Sequence, residues 1–324
     1  MKIILLNKKA SAVIRPNAPF NFDGTVYVPQ HFPTPDFEWK SGVLWQSMNF
    51  NMIIYGLKME NRGTTAKPKI KLTVYSNKEV SKEELLAIKN ELNWRYGFGE
   101  DLAEFFGKFK NDKFLKPVFA KLRGMRSSCI NSLYELLMIS IVLQNATVRR
   151  TVQMMNNLLG KYGKVVRFDG KELAVYWNPS DLNGATEPEL RTLKVGYRDK
   201  MIKLISKSFS ENEINEFELR KMSTEDAKKW ITKLFGVGPA TAQIILAEYL
   251  RRHDIFELKG RVWEQKILSR ILFNKKLVPA ERIIEEFEKR YGNWKGLSYY
   301  YIFTNLFWKH KEKNIEWLEK EIRL

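Results

Sequence analysis

The spacing of the hydrophobic positions along the chain changes near residue 80. Before that point, short apolar runs alternate with polar residues, as at Ile70, Leu72 and Val74, and proline and glycine separate the runs. This pattern is typical of strands that have one covered face. The clearest predicted strands are residues 2–6, 52–59 and 69–75. We therefore expect an antiparallel sheet within residues 1–78.

From residue 79 to residue 324, apolar residues recur every three to four positions, which predicts amphipathic helices. The predicted helices are residues 81–96, 101–108, 113–119, 131–145, 151–162, 187–195, 198–208, 279–291 and 298–309. The expected fold class is therefore α+β. An N-terminal antiparallel β-sheet domain, residues 1–78, should pack on a mostly α-helical body, residues 79–324.

Two further helical patterns meet at a short turn within residues 224–252. Ser223, with an aspartate three residues later, is a capping signal for the first helix, and Pro239 suits the first turn of the second. The turn between them contains the sequence Gly236-Val237-Gly238. Glycine lets a backbone approach another surface closely, and free N–H groups at a helix start bind anions. The turn is therefore a candidate phosphate site.

The charge of the chain indicates a polyanionic partner. Fifty-five Lys and Arg residues oppose 37 Asp and Glu residues, which gives a net charge of +18. Surface charge that serves solubility or thermal adaptation is the alternative explanation. The candidate phosphate site makes nucleic acid the expected partner. The single cysteine, Cys129, excludes an internal disulfide and a four-cysteine zinc or iron–sulfur site, and we expect no cofactor or metal.

We expect no membrane-spanning segment. The longest apolar run, around residues 136–143, is too short to cross a bilayer, and no signal peptide is apparent. One cysteine fits a reducing compartment. The expectation is a cytoplasmic, nucleoid-associated monomer.

The turn at residues 236–238 and its flanking helices resemble a helix-hairpin-helix. This motif alone also occurs in polymerases, ligases and recombination proteins. Several stretches, however, occur in the order found in the helix-hairpin-helix DNA glycosylases, and together they cover most of residues 1–310. They are most similar to 8-oxoguanine glycosylases and inducible 3-methyladenine glycosylases, which also carry an N-terminal antiparallel sheet. The stretches are residues 122–126, 134–150, 194–198, 236–238 and 294–300.

The resemblance implies an enzyme that flips a damaged base out of double-stranded DNA and cleaves its N-glycosidic bond. In such enzymes hairpin N–H groups bind a phosphate, a polar side chain fills the vacated space, and nearby arginines contact phosphates. A helix cap and a solvated pair of charges are the alternatives for the last two groups. The residues at these positions are Gly236, Val237, Gly238, Thr241, Gln144, Asn145, Arg149 and Arg150.

The resemblance also implies a pocket for the flipped base. Aromatic residues near the start of a C-terminal helix help to form its wall in the family. Core packing is the alternative role, because aromatic residues at helical spacing are common in hydrophobic cores. The matching residues are Trp294, Tyr299 and Tyr300.

The loop after the second hairpin helix departs from the family pattern. Where the family has a catalytic aspartate, this sequence has Lys259, and the hairpin lysine of bifunctional relatives falls at Ala240. The aspartate stabilises a cationic sugar in the transition state. A unit charge about 4 Å away is worth roughly 4 kcal/mol at an effective dielectric constant of about 20, so a lysine would oppose the reaction.

Three chemical solutions remain open. A nearby carboxylate, Asp254, Glu257 or Glu264, could replace the aspartate. Burial could instead neutralise Lys259 and make it a nucleophile. A positively charged base such as a 3- or 7-alkylpurine could leave with little assistance. The expected substrate is an alkylated or deaminated purine. The alternatives are 8-oxoguanine, with lyase activity through Lys259, and a non-catalytic protein that binds damaged DNA.

Overall fold

The computed structural model of the chain describes residues 3–31 and 33–322, and an antiparallel sheet forms most of its N-terminal part. Five strands follow the order β2-β6-β5-β4-β3, and every neighbouring pair is antiparallel. This confirms the predicted N-terminal sheet, although Lys2 of the first predicted strand lies outside the described residues. The strands are β1 (Ile3–Leu5), β2 (Lys8–Ile14), β3 (Phe37–Lys40), β4 (Val43–Phe50), β5 (Ile53–Asn61), β6 (Ile70–Ser76), β7 (Lys164–Phe168) and β8 (Lys171–Val175).

Helices form most of the chain after residue 80, which confirms the α+β class. Within the described residues, no helix is both long and apolar enough to span a membrane. The helices are α1 (Phe22–Val26), α2 (Lys82–Tyr96), α3 (Ala103–Lys108), α4 (Leu115–Leu122), α5 (Leu133–Leu143), α6 (Val148–Tyr162), α7 (Glu187–Thr192), α8 (Asp199–Ser210), α9 (Glu216–Lys221), α10 (Thr224–Ile231), α11 (Pro239–Ile244), α12 (Val262–Phe273), α13 (Ala280–Tyr291), α14 (Lys295–Lys313) and α15 (Glu316–Ile322).

The alternation that predicted β6 places one face of the sheet against α2. Ile70, Leu72 and Val74 are at most 1% exposed. They share a hydrophobic cluster with Ile88 and Leu92 of α2. Burial of such side chains contributes about 1.5–3 kcal/mol each, so this layer fixes the sheet to the helical body.

A second, three-stranded sheet was not predicted. Its order is β1-β7-β8, and β1 pairs with β7 in parallel. The β7–β8 turn is Asp169-Gly170, and both residues have positive φ angles, 49° and 74°, as a two-residue hairpin requires. Asp169 also accepts hydrogen bonds from Trp45 Nε1 at 2.7 Å and Tyr75 Oη at 2.9 Å. The turn therefore joins residues 164–175, which belong to the predicted helical body, to the N-terminal sheet. The division of the chain into two domains at residue 78 stays a prediction.

A buried ionic network joins α2, α9 and Tyr249. Tyr249 ends the helical turn Ile245–Tyr249, which continues α11, the second helix of the hairpin motif. Arg220 donates to both carboxylate oxygens of Glu91 at 2.7 and 2.9 Å, and to Tyr249 Oη at 2.8 Å. Arg95 donates to Glu91 at 2.8 Å. Burial alone would raise the pKa of Glu91, but the two guanidinium groups outweigh it and hold that pKa at about 2. The network thus anchors the far end of the helix that begins at the hairpin.

We expect Asp36→Asn to raise stability at neutral pH. Burial raises the pKa of the Asp36 carboxyl from 3.8 to about 6. Because the native pKa is the higher one, the free energy of unfolding falls as the pH rises between these values. The neutral amide of asparagine avoids this loss of unfolding free energy. A shift of about two pKa units corresponds to at most roughly 3 kcal/mol. Thermal unfolding should show a higher midpoint at pH 7.5 and little change at pH 4; equal shifts at both would contradict this cause.

Candidate nucleic-acid interface and active site

The two glycines of the hairpin have different structural roles. Ser223 caps α10 by accepting from Asp226 N at 3.1 Å, as predicted, and the chain turns between Ile231 and Pro239. Gly236 has a φ of 78°, and a Cβ there would lie 2.7 Å from Sδ of Met201. Gly238 has a φ of −89°, and a Cβ there would meet no atom within 4 Å. The fold therefore requires glycine at 236, whereas the space beside residue 238 is open.

The hairpin presents backbone donors to that open space. Val237 N already donates to the carbonyl of Leu234 at 3.1 Å, and the Val237 side chain is buried. In the part of the chain that the structure describes, the N–H groups of Gly236 and Gly238 have no protein acceptor. The first N–H groups of a helix also lack internal partners. Thr241 is only 6% exposed, and its proposed contact with DNA stays a prediction.

The polar end of α5 lies directly beside the hairpin. Gln144 Nε2 donates to the carbonyl of Gly236 at 2.7 Å, so this side chain fastens the hairpin. Asn145 is exposed, has a φ of 49°, and donates to Tyr197 Oη at 3.2 Å. Of the pair, only Asn145 is exposed on this surface. Insertion of either side chain into a DNA duplex stays a prediction.

Arg198 holds this surface together, and its role was not predicted from the sequence. Its side chain is buried and donates to the carbonyls of Ile141 and Val195, both at 3.1 Å, and to that of Gln144. These carbonyls include the last ones of α5, where the helix dipole favours a cation. The stretch 194–198 was recognised as a family motif, but nothing in its composition distinguishes a buried arginine from an exposed one.

Cationic side chains surround the hairpin and the α5 turn. Arg149 is exposed. Arg150 is exposed as well, although its guanidinium donates to the carbonyl of Lys194 and to Gln153 Oε1, both at 2.6 Å. Lys200 lies over the ring of Phe235, which is 48% exposed at the hairpin. This surface therefore carries the positive charge and the free N–H donors that a phosphate backbone requires.

The loop that follows the second hairpin helix places Lys259 at the apex of a turn. Arg261 N donates to the carbonyl of Leu258 at 3.0 Å, and Gly260 has a φ of 78°. Phe256 and Leu258 are buried and anchor the loop, whereas Lys259 is exposed. Burial is the usual way in which a protein neutralises a lysine, and this position lacks it.

The two carboxylates predicted on the same loop are not buried either. Glu257 pairs with Lys228 of α10 at 2.9 Å, and about half of each side chain is exposed. Asp254 is partly exposed. The roles of Lys259, Glu257 and Asp254 in catalysis stay predictions.

Glu264 is the buried carboxylate of this region. It accepts from Tyr299 Oη at 2.7 Å and forms an ion pair with Arg261. Burial raises the pKa of Glu264, and the neighbouring Glu248 acts in the same direction, while Arg261 opposes both. Because Tyr299 and Arg261 already bind the Glu264 carboxylate, it is less free to act on a substrate than a carboxylate that faces open space.

The predicted aromatic residues lie in two places. Tyr299 packs between Phe256 and Phe303, with ring centroids 5.0 and 5.2 Å away, next to Glu264. Tyr300 is buried on the neighbouring side of α14. Trp294 instead stacks on His253 at the start of the loop. Trp263, which was not predicted as a site residue, is 40% exposed and contacts Phe303 edge to face.

Comparisons with known proteins agree with this fold. No family model matches the sequence. The chain is 25% identical over 215 residues to a DNA-3-methyladenine glycosylase of Bacillus subtilis, covering 65% of this chain and 70% of that protein. It is 24% identical over 241 residues to a probable N-glycosylase/DNA lyase of Methanothermobacter thermautotrophicus, covering 67% of this chain and 74% of that protein.

Solved structures extend the similarity to more than nine-tenths of the chain. A 3-methyladenine DNA glycosylase from Archaeoglobus fulgidus superposes with a TM-score of 0.74 at 19% identity, covering 91% of this chain and 99% of that one. An 8-oxoguanine glycosylase/lyase of Clostridium acetobutylicum in complex with double-stranded DNA gives 0.67 at 18% identity, covering 96% and 99%. The chain has the fold of the helix-hairpin-helix DNA glycosylases, and these sequence and structural relatives confirm the resemblance.

We expect Gly238→Ala to weaken DNA binding without destabilising the protein. The added methyl group meets no protein atom, but it would stand between the backbone and a phosphate. Affinity for an abasic duplex should fall on every sequence, and steep salt dependence should remain because other cations still contact phosphates. Fluorescence anisotropy and thermal unfolding check this together.

Gly236→Ala is the matched variant. The clash with Met201 and the positive φ should lower the unfolding midpoint at this position. Unchanged DNA affinity in stable Gly238→Ala protein would remove the hairpin from the interface.

We expect Asn145→Ala and Gln144→Ala to differ. Asn145 is exposed, so its loss should reduce base release from duplex DNA far more than from single-stranded DNA, where no pair must be opened. Loss of the bond from Gln144 to the hairpin should weaken binding of both substrates and lower stability by about 1 kcal/mol. Equal losses on the two substrates for Asn145→Ala would assign that residue a purely structural role.

Proposed function

We propose that this protein binds double-stranded DNA at a damaged purine, flips the base out, and cleaves its N-glycosidic bond. The observation that carries the proposal is the hairpin, where the N–H groups of Gly236 and Gly238 have no acceptor among the described residues and Asn145 is exposed nearby. A flipped nucleotide needs both features, because its phosphate must be held while a side chain replaces the base. The net charge of +18 supports DNA as the partner.

Alkylated or deaminated purines are the substrates that we favour. Lys259 is exposed, so it keeps its hydration and lacks the burial that would neutralise it. A cationic group near the sugar opposes formation of an oxocarbenium ion. A base that already carries a positive charge offsets this, because it leaves as a neutral molecule. The DNA-3-methyladenine glycosylase among the sequence relatives supports the same class.

Two other functions have specific support. The probable N-glycosylase/DNA lyase among the relatives favours a lyase activity in which Lys259 acts as the nucleophile, and the structurally similar 8-oxoguanine glycosylase/lyase favours 8-oxoguanine as its substrate. The lysine at the position of the catalytic aspartate favours a protein that binds damaged DNA without cleaving it. In all three cases we propose that the protein works as a monomer on chromosomal DNA in the cytoplasm.

A panel of duplexes tests the proposed function. Each duplex carries one of 7-methylguanine, hypoxanthine, 8-oxoguanine or an undamaged guanine, and alkali-labile strand breaks report base release. We expect release of 7-methylguanine above the spontaneous rate and none of undamaged guanine. Breaks without alkali at 8-oxoguanine would favour the lyase alternative. Tight binding of lesions without any release would favour the non-catalytic one.

Variants of the loop identify the group that assists bond cleavage. We expect Lys259→Gln to retain activity and Lys259→Asp to raise it by about tenfold or more, since an attractive charge replaces a repulsive one. Glu257→Gln or Asp254→Asn should abolish release if that carboxylate replaces the aspartate. Borohydride should trap no covalent adduct. Rates of 7-methylguanine release measure these effects.

Lys276→Gln, on an exposed turn after α12, is the control for the loss of one positive charge. A trappable adduct that disappears together with activity in Lys259→Gln, but not in Lys276→Gln, would establish Lys259 as the nucleophile.

A further inference from the structure

Two buried polar atoms without partners lie where the N-terminal part meets the helical body. Tyr300 Oη and Gln30 Oε1 are enclosed, yet neither makes a hydrogen bond of normal geometry with the described residues. Tyr300 is only 7% exposed, and its hydroxyl lies against the backbone N–H and the hydroxyl of Ser128, which itself donates to the carbonyl of Thr25. Buried polar atoms nearly always have a full set of partners, so two incompletely paired atoms in one region make it a candidate ligand site.

Gln30 is fixed in its orientation by α14. Its Nε2 donates to Thr304 Oγ1 at 2.8 Å, which leaves Oε1 as the unpaired end of the amide. Thr304 lies one helical turn after Tyr300 on the same helix. The loop at residues 28–31 therefore covers the side of α14 that carries the Tyr300 hydroxyl.

Glu248 supplies a carboxylate to the same place. It is 26% exposed, and His31, the residue after Gln30, approaches it at 3.7 Å. Its charge acts on the hydroxyl of Tyr300, where it favours the protonated phenol. Unlike Glu264, which Arg261 and Tyr299 occupy, Glu248 accepts no hydrogen bond from a side chain among the described residues. It is the carboxylate of this region that is free to bind a ligand.

The helix that carries Glu248 also begins at the hairpin. Residues 239–249 are continuously helical, and the last five, Ile245–Tyr249, form a π-helical turn, a local feature often found at functional sites. Glu248 follows Gly238 by ten residues, or about 15 Å at a rise of 1.5 Å per residue. This separation suits one nucleotide that lies along the helix, with its phosphate at the hairpin and the far edge of its base at Glu248. Glu248 is too far from the hairpin to contact the sugar as well.

We propose that Glu248, Tyr300 and Gln30 bind the Watson–Crick edge of the flipped base and select guanine-derived bases. This assignment rests on the proposed base flipping, and it narrows the favoured purines to alkylated guanines. A carboxylate only accepts hydrogen bonds, whereas a protonated phenol can donate one. Guanine presents N1–H and a 2-amino group, which Glu248 binds together, and O6, which accepts from Tyr300. Gln30 Oε1 accepts the second hydrogen of the 2-amino group.

The donor and acceptor pattern excludes other purines to different degrees. Hypoxanthine keeps N1–H and O6 but lacks the 2-amino group, so it leaves Gln30 Oε1 and one carboxylate oxygen unpaired. Adenine lacks N1–H and has an amino group in place of O6. Leaving buried polar groups unpaired is costly, so the site should discriminate against both.

Binding of a matched pair of lesions tests the assignment. The duplexes carry 7-methylguanine or 7-methylhypoxanthine, which differ only in the 2-amino group, on 2′-fluoroarabinose to prevent cleavage. We expect the wild-type protein to bind the first more tightly by roughly 10- to 100-fold, the range for one buried hydrogen bond to a charged group. Glu248→Gln should remove most of this ratio, because it loses the negative charge and one of the two acceptor oxygens, which an NH2 donor replaces opposite the donors of guanine.

Tyr300→Phe provides a contrasting variant. It removes the bond to O6, which both bases possess, so both affinities should fall about equally and the ratio should persist. Glu248→Asp, which keeps an acceptor, should retain part of the ratio. Glu285→Gln, at an exposed position on α13, controls for the loss of one negative charge.

Equal wild-type affinity for the two lesions would overturn the assignment, as would equal losses on both in folded Glu248→Gln protein. Base release from ordinary deoxyribose is measured separately. A ratio that depends on Glu248 without any release would support this reading site and reject the proposed catalytic activity. Base release without a ratio that depends on Glu248 would support the catalytic activity and reject this reading site.

Discussion

One buried guanidinium organises the candidate DNA-binding surface. Arg198 has no carboxylate partner among the described residues; backbone carbonyls at the end of α5 and before α8 take up its donors. A buried cation is costly unless it is fully hydrogen-bonded, and the dipole of α5 contributes to compensating it. Arg198 binds the backbone carbonyl of Gln144, and the Gln144 side chain in turn donates to the carbonyl of Gly236 in the hairpin. The position of the hairpin therefore depends on a charge that never reaches solvent.

The second hairpin helix connects this surface to the interior. Its start is open, with no atom near a Cβ at Gly238, while its end is fixed by Tyr249 in the ionic network of Arg220 and Glu91. A helix held at its far end can present its first turn to a large anion without being displaced. Glu248 belongs to the fixed end, so the group proposed to read the base is positioned by the protein before DNA binds.

Sequence patterns predicted the strands and helices whose signal lies within a few neighbouring residues, such as an apolar alternation or a helix cap. The alternation at Ile70, Leu72 and Val74 and the cap at Ser223 fixed a strand and a helix start to within a residue or two. The β7–β8 hairpin was missed although Asp169-Gly170 is a strong turn signal, because helices flank it on both sides. No local pattern encodes the burial of Arg198 or the hydrogen bond from Gln30 to Thr304, because both depend on residues that are far apart in sequence.

The parallel pairing of β1 with β7 has a consequence for the order of folding. Ile3 lies opposite Val165, so β1 stays without its neighbour until the segment that contains Val165 has left the ribosome. The five antiparallel strands, by contrast, all lie before α2 and can associate earlier. Until β7 emerges, β1 remains an unpaired, partly apolar strand of the nascent chain, which is a natural binding target for a ribosome-associated chaperone.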